Sequence, residues 1–171
     1  LPLGTPQVKV NCTEALGAKV IRFGETVEDA YQEALRLTQL HDGQFLHPFD
    51  DPEVIAGQGT VAAELLEHRP DAVLVPVGGG GLAAGMGTLL QSLSIPLIGV
   101  QLDGCNAMER YRAGETRPFH PPFTVADGVR VGHVGQLTGS ICHRVLDDVI
   151  TVTEQEVRET MAGLLTVDHV V

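Results

Sequence analysis

Apolar and polar positions alternate between two periods along this chain, and glycine or proline separates most of the blocks. Thr5-Pro6 reads as a helix cap followed by proline at the first helical position, opening a helix that ends at Gly17. The β-branched run AKVIRF (18–23) predicts a strand. After Gly24, Val27, Ala30, Tyr31, Ala34, Leu35 and Leu37 fall at helical spacing. QFLH (44–47) predicts a second short strand, and the aspartates and Pro52 of DDPEVIAGQGTVAAELLEH start another helix, at some cost from Gly57 and Gly59. DAVLVPV (71–77) is apolar throughout, as expected of a strand buried on both faces. A helix over LAAGMGTLLQSL, a strand over IPLIGVQL (95–102), a helix near 104–113, a helix over VGQLTGSICHRVL and a strand over DDVITV follow in turn. Thr153 and Glu156 have capping-box spacing and start a last helix. This alternation predicts an α/β protein with a parallel sheet flanked by helices on both faces. HPFDDP (47–52) breaks the pattern, so a domain crossing is expected there, with 1–46 in a smaller unit and 47–171 in a larger one. The chain begins at Leu1 and finishes on the apolar, strand-like LLTVDHVV (164–171); the expectation is a section of a longer protein.

The most unusual block is the tetraglycine Gly78–Gly81 between a predicted strand and a predicted helix. Four glycines weaken regular structure on both sides, which is tolerable where something must approach the backbone closely. Backbone amides at the start of a helix, unobstructed by side chains, form a receptacle for phosphate. A glycine-rich turn that only packs a helix tightly against a sheet is the plainer explanation. Gly79-x-Gly81-x-x-Ala84 also fits a dinucleotide fingerprint, with Asp103 after the next strand as the ribose-binding acid. A P-loop is excluded, because no GK[ST] follows the glycines.

Composition narrows the partners. The 171 residues carry a formal net charge of −11, which argues against nucleic acid as a partner. No apolar run reaches membrane-spanning length and no signal-peptide pattern is visible. Cys12, Cys105 and Cys142 are odd in number and scattered, which favours free thiols in a reducing, cytoplasmic setting over a disulfide scaffold or a zinc site.

Several separated blocks carry a resemblance. HPFDDPEVIAGQGTVAAELL, VPVGGGGLAAG, IGVQLDG, ADGV and LDDVITVTEQEV resemble, in order and spacing, segments of the serine/threonine dehydratases and serine racemases. TPQVKVNCTEALGAKVI is similar to part of the smaller domain of the same enzymes. These are fold-type II enzymes, tryptophan synthase β-like, that use pyridoxal 5'-phosphate (PLP). The resemblance implies that Gly78, Gly79, Gly80, Gly81 and the amide of Leu82 hold the PLP phosphate, and that Gly128 lies beside the cofactor ring. It also implies dehydration and deamination of a small amino-acid substrate, L-threonine or L-serine, to 2-oxobutanoate or pyruvate, and a homo-oligomer. The family's PLP-binding lysine has no counterpart here, since Lys9 and Lys19 are the only lysines and neither has the surrounding motif. No catalytic residue is therefore assigned within the chain, which reads as a middle section of the enzyme.

Three other readings remain open at this stage: a dinucleotide-binding oxidoreductase, a serine racemase-like enzyme, and a PLP-binding remnant without turnover. Some family members bind a divalent cation through carboxylates at positions that correspond to Gln101 and Ala107, so no metal site is expected. His41, His68, His120, His133 and His143 lie in polar contexts without a ligand-like spacing, and His47 is a candidate to line the cleft. The resemblance implies that the Asp147-Asp148 pair is structural, and neighbouring strand residues point to opposite faces, which does not suit paired carboxylates. Cys105 and Cys142 read as small buried hydrophobes.

Overall fold

Local capping organises the first part of the chain. In the computed structural model, which describes residues 1–167, two compact units are distinguished, Leu1–Leu46 and His47–Val171. The first contains α1 (Gln7–Ala15) and α2 (Val27–Leu40). Thr26 caps α2 by accepting from the Asp29 amide, and the Asp29 carboxylate in turn accepts from the Thr26 amide. Thr5 does not cap α1; Pro6 takes the N-cap position and no side chain closes that end. Neither predicted strand of this unit forms. Residues 18–23 run as extended backbone tied to the first residues, with Phe23 N donating to Leu1 O at 2.8 Å and the Leu1 amino group to Ile21 O at 2.8 Å. β-branched composition suits a strand, but a ladder needs a paired neighbour, and none is present among the described residues at 18–23 or 44–47. Phe45 instead packs edge-on against Tyr31, with ring centroids 5.3 Å apart.

The second unit holds the sheet. Asp51 caps α3 (Pro52–Leu65), accepting from the amides of Glu53 and Val54. Strands β1 (Val73–Pro76), β2 (Leu97–Leu102) and β3 (Asp148–Val152) pair in parallel in the order β1-β2-β3. Helices α4 (Gly81–Ser92), α5 (Ala107–Arg112) and α6 (Gln136–Val145) lie in the connections, and α7 (Glu154–Thr166) follows β3. Thr153 and Glu156 form the expected capping box on α7. The helical stretch includes Leu164 and Leu165, so the first part of the run 164–171 is not strand; residues 168–171 lie outside the described residues.

The core sits between the sheet and α3, α4 and α6. Val73, Val75, Val77, Leu97, Ala83, Ala84, Met86 and Leu90 form one buried cluster with Ile55, Ala62, Met108 and Cys142. A fully buried leucine such as Leu90 contributes about 2 kcal/mol of transfer free energy. Gly59 and Gly85 allow α3 and α4 to touch backbone to backbone: a Cβ on Gly85 would sit 2.6 Å from the Gly59 nitrogen. The helix cost of Gly59 thus has a packing return.

β1 is not buried on both faces. Val73 and Val75 face the core, whereas Leu74 is 61% exposed, and Ile150 on the same side of β3 is 41% exposed. Topology explains this. The sheet is crossed in one direction only, and right-handed connections then set α4 and α6 on the same side. Asp147 is structural as expected: its backbone amide donates to Leu97 O at 3.0 Å, and its carboxylate accepts from the Leu97 amide at 2.8 Å.

Candidate functional site

The tetraglycine leaves the carboxyl end of β1 and turns into α4. Gly80 is the turning point, with φ +96°, a left-handed backbone that suits glycine. Packing also demands small residues on either side. A Cβ on Gly79 would lie 2.6 Å from the ring of Phe49, and one on Gly78 would lie 3.3 Å from the Val129 Cα. The plainer packing explanation is therefore satisfied by the loop, and it accounts for the absence of side chains. It does not account for the hydrogen bonds.

The loop's carbonyls and amides are treated differently. The buried Thr138 hydroxyl donates to Gly79 O at 2.7 Å, the Cys142 thiol to Gly80 O at 3.5 Å, and the Gln101 amide to Val77 O at 3.0 Å. Ala84 N also donates to Gly80 O at 2.8 Å. Among the described residues, by contrast, none accepts from the amides of Gly78, Gly79, Gly80, Gly81 or Leu82, and no side chain caps α4. Burial pushes the Cys142 thiol up to about 12, so it remains a neutral donor at physiological pH. A row of open amides at the positive end of a 12-residue helix can bind a phosphate dianion.

Gly128 comes to the same place. Its carbonyl oxygen lies 3.5 Å from where a Cβ of Gly78 would be, and a Cβ on Gly128 itself would meet nothing within 4 Å. The approach to Gly128 is held by Glu154 at the start of α7. Its carboxylate accepts from the Thr124 hydroxyl at 2.6 Å and from the Val125 amide at 3.2 Å. The Thr124 hydroxyl, then the Val125 amide and Arg158, hold the Glu154 carboxyl below the usual carboxylate range. Gly128 thus lies against Gly78, the first residue of the loop, although the two are far apart in sequence.

Other side chains have structural work. His47 accepts the Asp50 amide at Nδ1 over 2.8 Å, and its ring meets Phe49 edge-on at 4.6 Å. Gln101 is 2% exposed: besides Val77 O it reaches Cys105 O at 3.4 Å, and its own oxygen accepts from the Glu109 amide at 2.9 Å. Ala107 is buried at the start of α5. No group of three or more His, Cys, Asp or Glu that could hold a metal occurs among the described residues. Nor is any described helix long and apolar enough to cross a membrane.

Sequence reasoning did not single out Phe49, Asp50 or Thr138, and it met Gln101 only as the counterpart of a family ligand. One signal was available for Gln101: it is the lone polar side chain in an otherwise apolar strand. Asp50 offered a weaker one, as the aspartate left over once Asp51 caps α3.

Comparison with known proteins decides the family. The model of the pyridoxal-phosphate dependent enzymes matches residues 1–171. The chain belongs to that family. It is 38% identical over 170 residues to an L-threonine ammonia-lyase of Thermotoga maritima, covering 96% of this chain and 42% of that protein. It is 36% identical over 176 residues to the catabolic L-threonine dehydratase of Escherichia coli K12, covering 100% of this chain and 54% of that protein. Among solved structures, the processed form of threonine deaminase isoform 2 from Solanum lycopersicum superposes with a TM-score of 0.87 at 34% identity, over 96% of this chain and 49% of that one. Maize serine racemase superposes with a TM-score of 0.90 at 28% identity, over 99% of this chain and 53% of that one. The fold is the fold-type II α/β architecture that the sequence blocks implied. The chain spans about half the length of the curated relatives it matches.

Proposed function

We propose that the chain is a middle section of a PLP-dependent ammonia-lyase that converts L-threonine or L-serine to 2-oxobutanoate or pyruvate, with release of ammonia. The observation that carries this reading is the loop itself: the carbonyls of Val77, Gly79 and Gly80 are engaged on the protein side, while the five amides from Gly78 to Leu82 have no acceptor among the described residues. The names of the relatives with 36–38% identity support the reaction and favour threonine. In this reading residues 1–46 are the remainder of the smaller domain and 47–171 the incomplete larger one. The enzyme is a homo-oligomer of the cytoplasm, in keeping with its three free cysteines.

The amides of Gly78, Gly79, Gly80, Gly81 and Leu82 bind the cofactor's phosphate, and the start of α4 stabilises its charge. When bound, PLP supplies an electron sink next to the substrate's α-carbon, which makes loss of the α-proton and of the β-hydroxyl accessible. Everything the loop adds is positioning and electrostatics, since it carries no acidic or basic side chain. The open space at Gly128 leaves room for the ring beside the backbone, and Glu154 keeps that backbone in place.

The test is the visible absorption spectrum of the full-length protein before and after L-threonine is added. A visible band that changes on mixing, with 2-oxobutanoate accumulating, is expected. A colourless protein that ignores added PLP overturns the reading and brings forward the dinucleotide fingerprint at Gly79-x-Gly81-x-x-Ala84. Residues 1–171 alone are expected to form no 2-oxobutanoate, because neither Lys9 nor Lys19 lies in the family's lysine motif; keto-acid formation by that chain would contradict this.

A further inference from the structure

The open amides need an explanation of their own, because a loop of four glycines has many conformations and only a few of them aim successive N–H groups at one point. The peptide unit is planar, and no cis bond occurs among the described residues. Fixing the carbonyl oxygen of one residue therefore aims the N–H of the next in the opposite direction. Three carbonyls of this stretch are held by side chains from elsewhere in the fold: Val77 O by Gln101, Gly79 O by Thr138, and Gly80 O by Cys142. The amides so aimed are those of Gly78, Gly80 and Gly81.

We propose that Thr138 and Gln101 are positioning residues of the phosphate loop, which act by clamping its carbonyls so that its amides converge on the cofactor's phosphate. The inference rests on the reading of the loop given above. Both donors suit the task. Thr138 is wholly buried, and its backbone amide is fixed by Asp50 at 2.9 Å, so the hydroxyl is carried on an anchored residue. Gln101 is buried on β2, and its oxygen is occupied by the Glu109 amide, which leaves the NH2 group directed at Val77 O and Cys105 O. A thiol at 3.5 Å makes Cys142 the weakest of the three clamps.

The experiment compares two ligands on the apo form of the full-length protein: PLP, and pyridoxal, which has the same ring and aldehyde without the phosphate. The ratio of their dissociation constants reports phosphate anchoring and is insensitive to a general loss of folding. Thr138→Val keeps the shape and removes the donor. It is expected to weaken PLP binding about tenfold, as for one buried hydrogen bond with its consequences, while pyridoxal binding is unchanged. Thr138→Ser keeps the hydroxyl and is expected to restore the wild-type ratio. If Thr138→Val does not fold, Gln101→Met, similar in volume and without either polar group, is expected to reduce the preference for PLP over pyridoxal in the same way. A wild-type preference for PLP that survives these substitutions overturns the inference and leaves the phosphate-loop reading standing. A wild-type protein that binds PLP no better than pyridoxal overturns the phosphate-loop reading, and this inference with it.

Discussion

Two helices of the second unit begin close together and are finished in opposite ways. The first amides of α6 are satisfied by the carboxylate of Asp50, 86 and 88 residues away in sequence, which accepts from Gln136 N at 3.0 Å and Thr138 N at 2.9 Å. The first amides of α4 have no such partner among the described residues, and the residue at its N-cap is a glycine. Both ends carry the same partial positive charge. One has been supplied with an anion by the protein itself; the other is left for an anion from outside. The contrast argues against a simple packing role for the tetraglycine, because a chain that can deliver a carboxylate to α6, to α3 through Asp51 and to α7 through its capping box leaves α4 without one.

The sharpest way to break the contrast is to give α4 the kind of cap that α6 has. Gly80→Asp would add a negative charge at the N-cap position of α4, which opposes the charge of a phosphate. Its Cβ would also come within 3.1 Å of Thr138 and of Met108, on a backbone with φ +96°. Binding of PLP to the full-length protein is expected to weaken by about a hundredfold or more, measured by titration of the apo form. Binding within a few-fold of wild type would mean that the phosphate sits elsewhere.

Removing the cap from α6 should have a different character. Asp50→Ala leaves the Gln136 and Thr138 amides without their acceptor, which costs about 1–2 kcal/mol of stability. The check is denaturant unfolding of the apo protein, in which the midpoint should fall. A smaller loss of preference for PLP over pyridoxal is expected alongside it, because Thr138 is held partly through that amide. An unchanged midpoint would mean that water replaces the carboxylate without loss.

How much of this could be read from the sequence follows from where each interaction is encoded. The strand–glycine–helix joint and the Thr153–Glu156 cap lie within a few residues, and both were legible. Runs 18–23 and 44–47 had the right residues for strands, but a strand is defined by its neighbour, which local pattern does not specify. The apolar run of β1 predicted burial on both faces; one face stays open because both crossovers turn the same way, a property of strand order that no single run contains. Asp50, Thr138 and Gln101 were hardest, since each meets its partner across 24 to 88 residues. A threonine in an amphipathic helix and a glutamine in a strand become loop clamps only once the register is known.

α7 shows a third arrangement, and it yields the smallest expected effect. This helix caps itself with Thr153 and Glu156, which frees its first carboxylate, Glu154, to reach the segment before Gly128. Because the Thr124 hydroxyl and the Val125 amide lower the Glu154 pKa in the folded protein, its contribution to stability is fully present above the ordinary value of 4.5 and is lost as pH falls through the lowered folded value. The same direction holds for Glu156, lowered by its bonds to Thr153. Glu154→Gln removes the first of these titrations and keeps an oxygen that can accept from Thr124. The loss of stability below about pH 4.5 should therefore be shallower in the variant than in the wild type, with little difference between them at pH 7, as followed by thermal melts across that range. Parallel acid limbs would mean that the Thr124–Glu154 contact is not maintained in solution, and that the backbone at Gly128 is fixed by something other than the start of α7.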